Sequence, residues 1–232
     1  MRLLNVGTFT LKSFFEDVPA YAILSHCWDE EEVVFSDLTD LDAARAKKGY
    51  DKIEKTCAQA AKDGFEYCWI DTCCIDKSSS AELSEAINSM FAWYRNSGKC
   101  YAYLADVQTP EDFANSKWFT RAWTLQELLA PSHIETETLR NGTRSGSNTG
   151  MEFFSQDWTR LGSKGGLSVT LSKITSVPKE YLERVSPENA SISMRMSWAA
   201  DRHATRAEDV AYSLLGIFDV NMPLLYGEGK VK

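Results

Sequence analysis

Several residues with side chains suited to chemistry fall at or behind the ends of apolar, strand-like runs or in a short helix candidate: Ser25, Trp28, Asp29, Asp71, Asp76, Arg121, Trp123 and Glu127. A carboxylate such as Glu127 can stabilise positive charge that develops in a reaction. The faces of Trp28 and Trp123 can stack on a flat aromatic group. The fork of Arg121 can pair with a phosphate. Ser25, Asp29, Asp71 and Asp76 can line the mouth of such a site. Each also has a plainer role. Glu127 taken alone reads as a solvated helix glutamate, the tryptophans as core, Arg121 as a surface ion pair, Ser25 and Asp29 as helix N-caps, and Asp71 and Asp76 as loop anchors. Other chemistries lack their parts. His26 and His203 are too isolated for a Ser/His/Asp or Cys/His nucleophile. No G-x-G-x-x-G or P-loop occurs, which disfavours a dinucleotide-dependent dehydrogenase or a nucleotide triphosphatase.

The elements that must position these residues are legible from periodicity. Tyr21 to Ser25 reads as a buried strand ending at Ser25-His26-Cys27-Trp28-Asp29. Ile53, Cys57, Ala60 and Ala61 have helical spacing within 52–63, and Gly64 sits at the C-cap. Phe65 to Ile75 reads as a second strand, followed by a polar loop from Asp76 to Ser80. Ser79 and Glu82 have capping-box spacing ahead of a stripe of Leu83, Ile87, Met90, Phe91 and Tyr94. Cys100 to Leu104 is a third strand, and Trp118 to Leu129 a short helix closed by Pro131. This alternation predicts an α/β core over residues 1–135, with a mainly parallel central sheet flanked by helices. Residues 136–150, rich in Thr, Asn, Ser and Gly, read as a mobile surface loop or insertion. Residues 151–232 read as a mainly helical C-terminal extension packed on the core. Within it, 206–218 is an amphipathic helix with Thr205 at its N-cap and Val210, Leu214, Leu215 and Phe218 inward.

Bulk properties narrow the class. A chain of 232 residues with 44% hydrophobic content can bury a core without disulfides or metal. A net charge of -8 argues against a phosphate-tracking nucleic-acid binder. There is no signal-peptide pattern and no long apolar run, so a cytoplasmic protein with no membrane span is expected. Among the six cysteines no C-x-x-C pair occurs, and Cys73-Cys74 would face opposite sides of a strand. Reduced, buried thiols and no metal site are expected.

Several blocks resemble the fungal heterokaryon incompatibility (HET) family. They are YAILSHCWDEEE at 21–32, the long block from Gly64 to Val107, WFTRAWTLQELLAP at 118–131, and RMSWAADRHATRAEDVAYSLLGIFDVNMPLLYGEG at 195–229. The last is similar to the segment that often follows this domain in large incompatibility proteins, which typically continue into further domains. The resemblance implies a role in triggering cell death. The 136–150 stretch departs from the family, which usually runs quickly from the LLAP block to an EFF-like segment, here Glu152-Phe153-Phe154.

A more distant resemblance is to Toll/interleukin-1 receptor (TIR) domains. SHCWDEE, IDTCCIDKSSSAEL and SKWFTRAWTLQELL fall in the order of the corresponding TIR segments. Many TIR domains cleave NAD at the nicotinamide–ribose bond through the glutamate of the last motif. The resemblance carries that role to Glu127, although Thr124 stands where TIR domains have Cys. Glu127 is then expected to point into a cleft at the C-terminal ends of the strands, near 25–28 and 71–80. NAD or a related nucleotide is implied as substrate rather than cofactor. Self-association for activity, an upstream sensor as partner, and a partner-dependent loop at 76–80 are implied with it. The competing expectation is a non-catalytic death-signalling module that recruits partners.

Overall fold

The structure is a computed structural model that describes residues 1–131 and 150–227. The expected surface loop lies outside the described residues except for Gly150. Among the described residues, β1 (Arg2–Asn5), β2 (Leu11–Ser13), β3 (Tyr21–His26), β4 (Tyr67–Trp69), β5 (Lys99–Tyr103), β6 (Met151–Phe154) and β7 (Arg160–Ser163) form one seven-stranded sheet. Its order is β2-β1-β4-β3-β5-β6-β7. β3 runs parallel to β4 and β5, and β5 parallel to β6. β1 is antiparallel to β2 and β4, and β7 to β6.

The sheet is therefore mixed, not mainly parallel: a parallel centre carries antiparallel edges. Loop length explains the difference. A parallel crossover needs a dozen or more residues, whereas 6–10 and 155–159 are long enough only for hairpins. The second hairpin is set by its turn, where Asp157 Oδ1 accepts from Ser155 Oγ and from the Thr159 N–H at 3.1 Å. The region after Met151 likewise begins as strands and becomes helical only from Ser168. The core sheet thus extends beyond residue 135.

Every residue of β3, β4 and β5 is buried, so helices and loops cover both faces of the centre. A short α1 (Leu41–Arg45) precedes α2 (Tyr50–Lys62). Gly64, at φ 86, ends α2 in the left-handed region that its sequence position suggested. α3 (Ser80–Asn96) buries Ile87, Met90, Phe91 and Tyr94 of its predicted stripe. Its cap is half a box. Ser79 Oγ accepts the Glu82 N–H at 3.3 Å, but the Glu82 carboxylate turns to Arg2 at 2.7 Å and the Asp76 N–H at 2.9 Å.

The 65–75 run is strand for only three residues. Beyond it the Cys74 N–H closes a turn on the Ile70 carbonyl at 2.8 Å. Cys73 and Cys74 therefore lie in a buried turn, not on opposite faces of a strand. All six cysteines are free, and all but Cys27 are buried.

The 118–129 run also divides. A 3-10 turn (Lys117–Thr120) and an extended Arg121 precede α4 (Trp123–Leu129). Arg121 is extended because its segment pairs with the C-terminal region. The Ala122 N–H meets the His203 carbonyl at 2.8 Å, and the His203 N–H meets the Thr120 carbonyl at 2.7 Å.

After β7 come α5 (Ser168–Thr175), α6 (Lys179–Glu183), α7 (Ile192–Ala199), α8 (Ala207–Tyr212) and α9 (Leu215–Phe218). The single helix expected over 206–218 is thus two, with the N-cap at Arg206. Leu215 is buried, but Val210 is 45% exposed rather than inward. The break lets α9 press on α3. A Cβ added to Gly216 would lie 2.1 Å from Phe91 Cβ, an atom anchored to the α3 backbone. Gly216→Ala is expected to cost about 1–3 kcal/mol in urea denaturation. An unchanged midpoint would show that α9 does not pack this closely. Among the described residues no helix is long and apolar enough to cross a membrane.

Candidate functional site

The four parallel strands stand in the order β4-β3-β5-β6, which is second, first, third, fourth along the chain. The chain therefore leaves β3 in one direction to reach β4 and returns past it to β5. In open α/β sheets, ligands bind outside the carboxyl ends of strands at such a reversal. Ser25 and His26 end β3 there, and α4 brings Glu127 to the same place.

Ser25 Oγ donates to the Glu127 carboxyl, and the indole N–H of Trp118 donates to Ser25 Oγ at 2.9 Å. Glu127 is only 6% exposed. Burial pushes its pKa up to about 8, against the hydrogen bond from Ser25; the nearby Asp71 adds to the rise and Arg121 opposes it. At neutral pH this carboxyl is mostly protonated. Arg202 stands behind it, donating to the Arg121 carbonyl at 2.9 Å and to Thr124 Oγ1 at 3.0 Å.

A second group lies beside the first. The Trp28 indole N–H donates to Asp71 Oδ2 at 2.8 Å, and the Lys77 ammonium sits 3.3 Å from the centre of the Trp28 ring. Burial alone would raise the Asp71 pKa, but Lys77, the Trp28 hydrogen bond and Lys52 outweigh it and hold the carboxyl below its usual value. His26 is buried, and its pKa falls to about 3, chiefly through burial and then through Lys52. It is neutral, and neither ring nitrogen has a hydrogen-bond partner among the described residues.

The loop carrying Trp28 is held from below by a buried ion pair between Glu32 and Lys52. Glu32 Oε1 also accepts the Asp29 N–H at 2.6 Å.

Residues 21–112 match the family described as heterokaryon incompatibility protein (HET). The chain carries a fungal HET domain. Over 228 residues, 93% of the chain, it is 47% identical to the vegetative incompatibility protein HET-E-1 of Podospora anserina. The chain spans 16% of that relative's length. No solved structure matches the chain.

Within this HET domain, Ser25 and Glu127 are brought into direct contact, as are Trp28 and Asp71. Arg121 lies close enough to act on Glu127 as a charge, and its guanidinium has no ion pair among the described residues. The other candidates lie apart. Asp29 is exposed and accepts the Glu30 N–H at 3.0 Å. Asp76 anchors its own loop, accepting from Ser78 N–H at 3.0 Å and Ser78 Oγ at 2.6 Å. Trp123 packs against Ile87, Tyr212 and Leu215 beneath the C-terminal helices.

The site also uses residues that sequence reasoning passed over: Trp118, Lys77, Arg202 and the Glu32–Lys52 pair. Only Trp118 had a signal, the dense aromatic block that contains it.

Glu127, expected to point into an open cleft, is instead buried. A hollow of about 500 Å³ lies beyond β5 and β6, lined by Asp51, Tyr103, Gln108, Gln156 and Asp157. Another of about 140 Å³ lies beside Leu129, Lys164 and Tyr181. Glu127 lines neither, because Ser25 and Trp118 sit over its carboxyl. Among the described residues no cluster of three or more His, Cys, Asp or Glu side chains is arranged to hold a metal.

Proposed function

We propose that this HET domain is a TIR-like cell-death module that cleaves NAD at the nicotinamide–ribose bond. One observation carries the reading: the Glu127 carboxyl stands at the strand reversal, bonded to Ser25, with its pKa raised to about 8. Perturbed carboxyls at such positions are candidate catalytic groups. The order of the parallel strands and the nearby Arg121 guanidinium support the same reading.

Nicotinamide leaves NAD with the electron pair of the broken C–N bond. It departs neutral, so no general acid is needed. Positive charge develops on the ribose, and the ionised Glu127 carboxylate stabilises it. Water then adds to the anomeric carbon and loses its proton to solvent. Arg121 is assigned to pair with the pyrophosphate. In the resting protein Glu127 is sealed and protonated. Admission of the substrate therefore requires the cover to move, and self-association is the event we assign to that step. Action in the cytoplasm, under an upstream sensor, belongs to the same proposal. A part in incompatibility is inferred from the name of the Podospora relative.

The test is to incubate the purified chain with NAD and measure free nicotinamide. Because the ionised form is required, kcat/KM should rise with pH and level off above about 8. At pH 6 it should be on the order of 100-fold below the plateau. The rate per protomer should rise with protein concentration. No nicotinamide at any pH or concentration would reject the enzyme. The second reading, a non-catalytic module that recruits partners, is favoured by exposed Ile192, Met194 and Met196 on α7, with Val220, Met222 and Leu225 beyond α9.

A further inference from the structure

Trp28 is 41% exposed, yet one face of its ring is already occupied by a cation. The occupant is the Lys77 ammonium, which also faces Asp71 Oδ2 at 3.5 Å. The same carboxylate oxygen accepts the Trp28 indole N–H at 2.8 Å, so ring and carboxylate are locked together as one surface. His26 Nδ1, 3.8 Å from Asp71 Oδ1, is neutral and leaves the carboxylate charge to Lys77. The other cations acting on Asp71 and His26 are Lys52, which is committed to Glu32, and Arg121.

Lysine is a poor fit for this place. An ammonium has three protons to satisfy and is strongly hydrated in water. Here, with its side chain 29% exposed, it shares water with one carboxylate oxygen at 3.5 Å and an aromatic face, and burial lowers its pKa against the pull of Asp71. A flat cation whose charge sits on a ring nitrogen without N–H would lose less water on entering. It would also cover the indole face by stacking, adding area to the attraction between charge and ring.

We infer that Trp28 and Asp71 form a seat for a flat organic cation, and that Lys77 is its displaceable internal occupant. The inference rests on the NAD reading for its natural ligand, the pyridinium ring, which would then lie beside Glu127. Entry of the ring returns Lys77 to water, where it can meet the anionic part of the same molecule. Lys77 is thus a specificity residue: it admits ligands that bind more strongly than an ammonium and turns neutral rings away.

The probe is 1-methylnicotinamide, which keeps the charged ring but has no ribose bond to cleave. Its binding is measured by calorimetry, with neutral nicotinamide for comparison. Lys77→Met is expected to bind the cation about tenfold more tightly than wild type, in line with the strength of a desolvated cation–π contact. Lys77→Arg keeps a competitor in place and should bind like wild type. Trp28→Leu and Asp71→Asn should lose binding, and neutral nicotinamide should remain the weaker ligand of Lys77→Met, because it brings no charge to Asp71. Unchanged or weaker cation binding by a Lys77→Met protein with wild-type circular dichroism overturns the seat. If the wild type releases nicotinamide from NAD in that case, the proposed function stands without it. Tighter cation binding by Lys77→Met in a chain that never cleaves NAD keeps the seat and rejects the enzyme.

Discussion

Glu127→Gln is expected to lower NAD cleavage by on the order of 10²-fold or more, and to lower toxicity in expressing cells with it. Glutamine keeps the size of the side chain and can still accept from Ser25. It cannot carry the negative charge that the proposed reaction requires. Glu85, exposed on α3, provides the control, and Glu85→Gln should keep activity. Equal toxicity of wild type and a folded Glu127→Gln protein would favour partner recruitment over catalysis.

The same variant reports on protonation. The folded-state pKa of Glu127 lies near 8, above the unfolded value of 4.5. Between those values the folded chain holds a proton that the unfolded chain has released. Wild-type stability therefore falls as pH rises through that window, by about 1.4 kcal/mol per pH unit from this group, and the loss is complete above about pH 8. The substituted glutamine does not titrate. Urea denaturation at several pH values should show the variant gaining on wild type from pH 5 to pH 8. A difference independent of pH would contradict the buried, protonated carboxyl.

Lys52→Met should produce the largest loss of stability. Both members of the Glu32–Lys52 pair are nearly sealed from water, with side chains 6% and 8% exposed. Removing the ammonium leaves a buried carboxylate without its counter-charge, at a cost of about 3–5 kcal/mol. That is a large share of the roughly 5–15 kcal/mol that holds a domain together. Glu32→Gln combined with Lys52→Met should recover most of the loss, because no charge then remains and the Gln oxygen can still accept the Asp29 N–H. Urea denaturation at neutral pH separates the cases. A loss below about 1 kcal/mol for Lys52→Met would show that the pair is hydrated. The 27–32 loop, and with it Trp28, should loosen only in the single variant.

Position in the chain explains which parts of the site were legible. Ser25 and Trp28 follow a run of buried residues, so their place at a strand end could be read locally. Asp29 and Asp76 share that placement but turn to neighbouring backbone and hydroxyl groups, as acids in loops commonly do. Trp123 and Glu127 are one helical turn apart, which suggested a shared face. However, every residue of α4 from Thr124 to Leu129 is buried, so the helix has no open side. Its residues serve different surroundings, Trp123 the C-terminal helices and Glu127 the end of β3.

The sequence by itself determined β3, the cores of α2 and α3, and the left-handed stop at Gly64, because apolar spacing and backbone freedom act within a few residues. Its motif blocks also determined the HET family. Tertiary structure alone decided what depends on contacts across the chain. The edge hairpins turned an expected parallel sheet into a mixed one. Ser25 and Glu127 meet across 102 residues, and Arg202 reaches Thr124 across 78. Lys77 finds the Trp28 ring, and burial rather than any neighbour in sequence raises the Glu127 pKa. Hydrogen bonds, ring contacts and desolvation depend on distance in space. Local periodicity specifies elements, and only their packing brings those groups together.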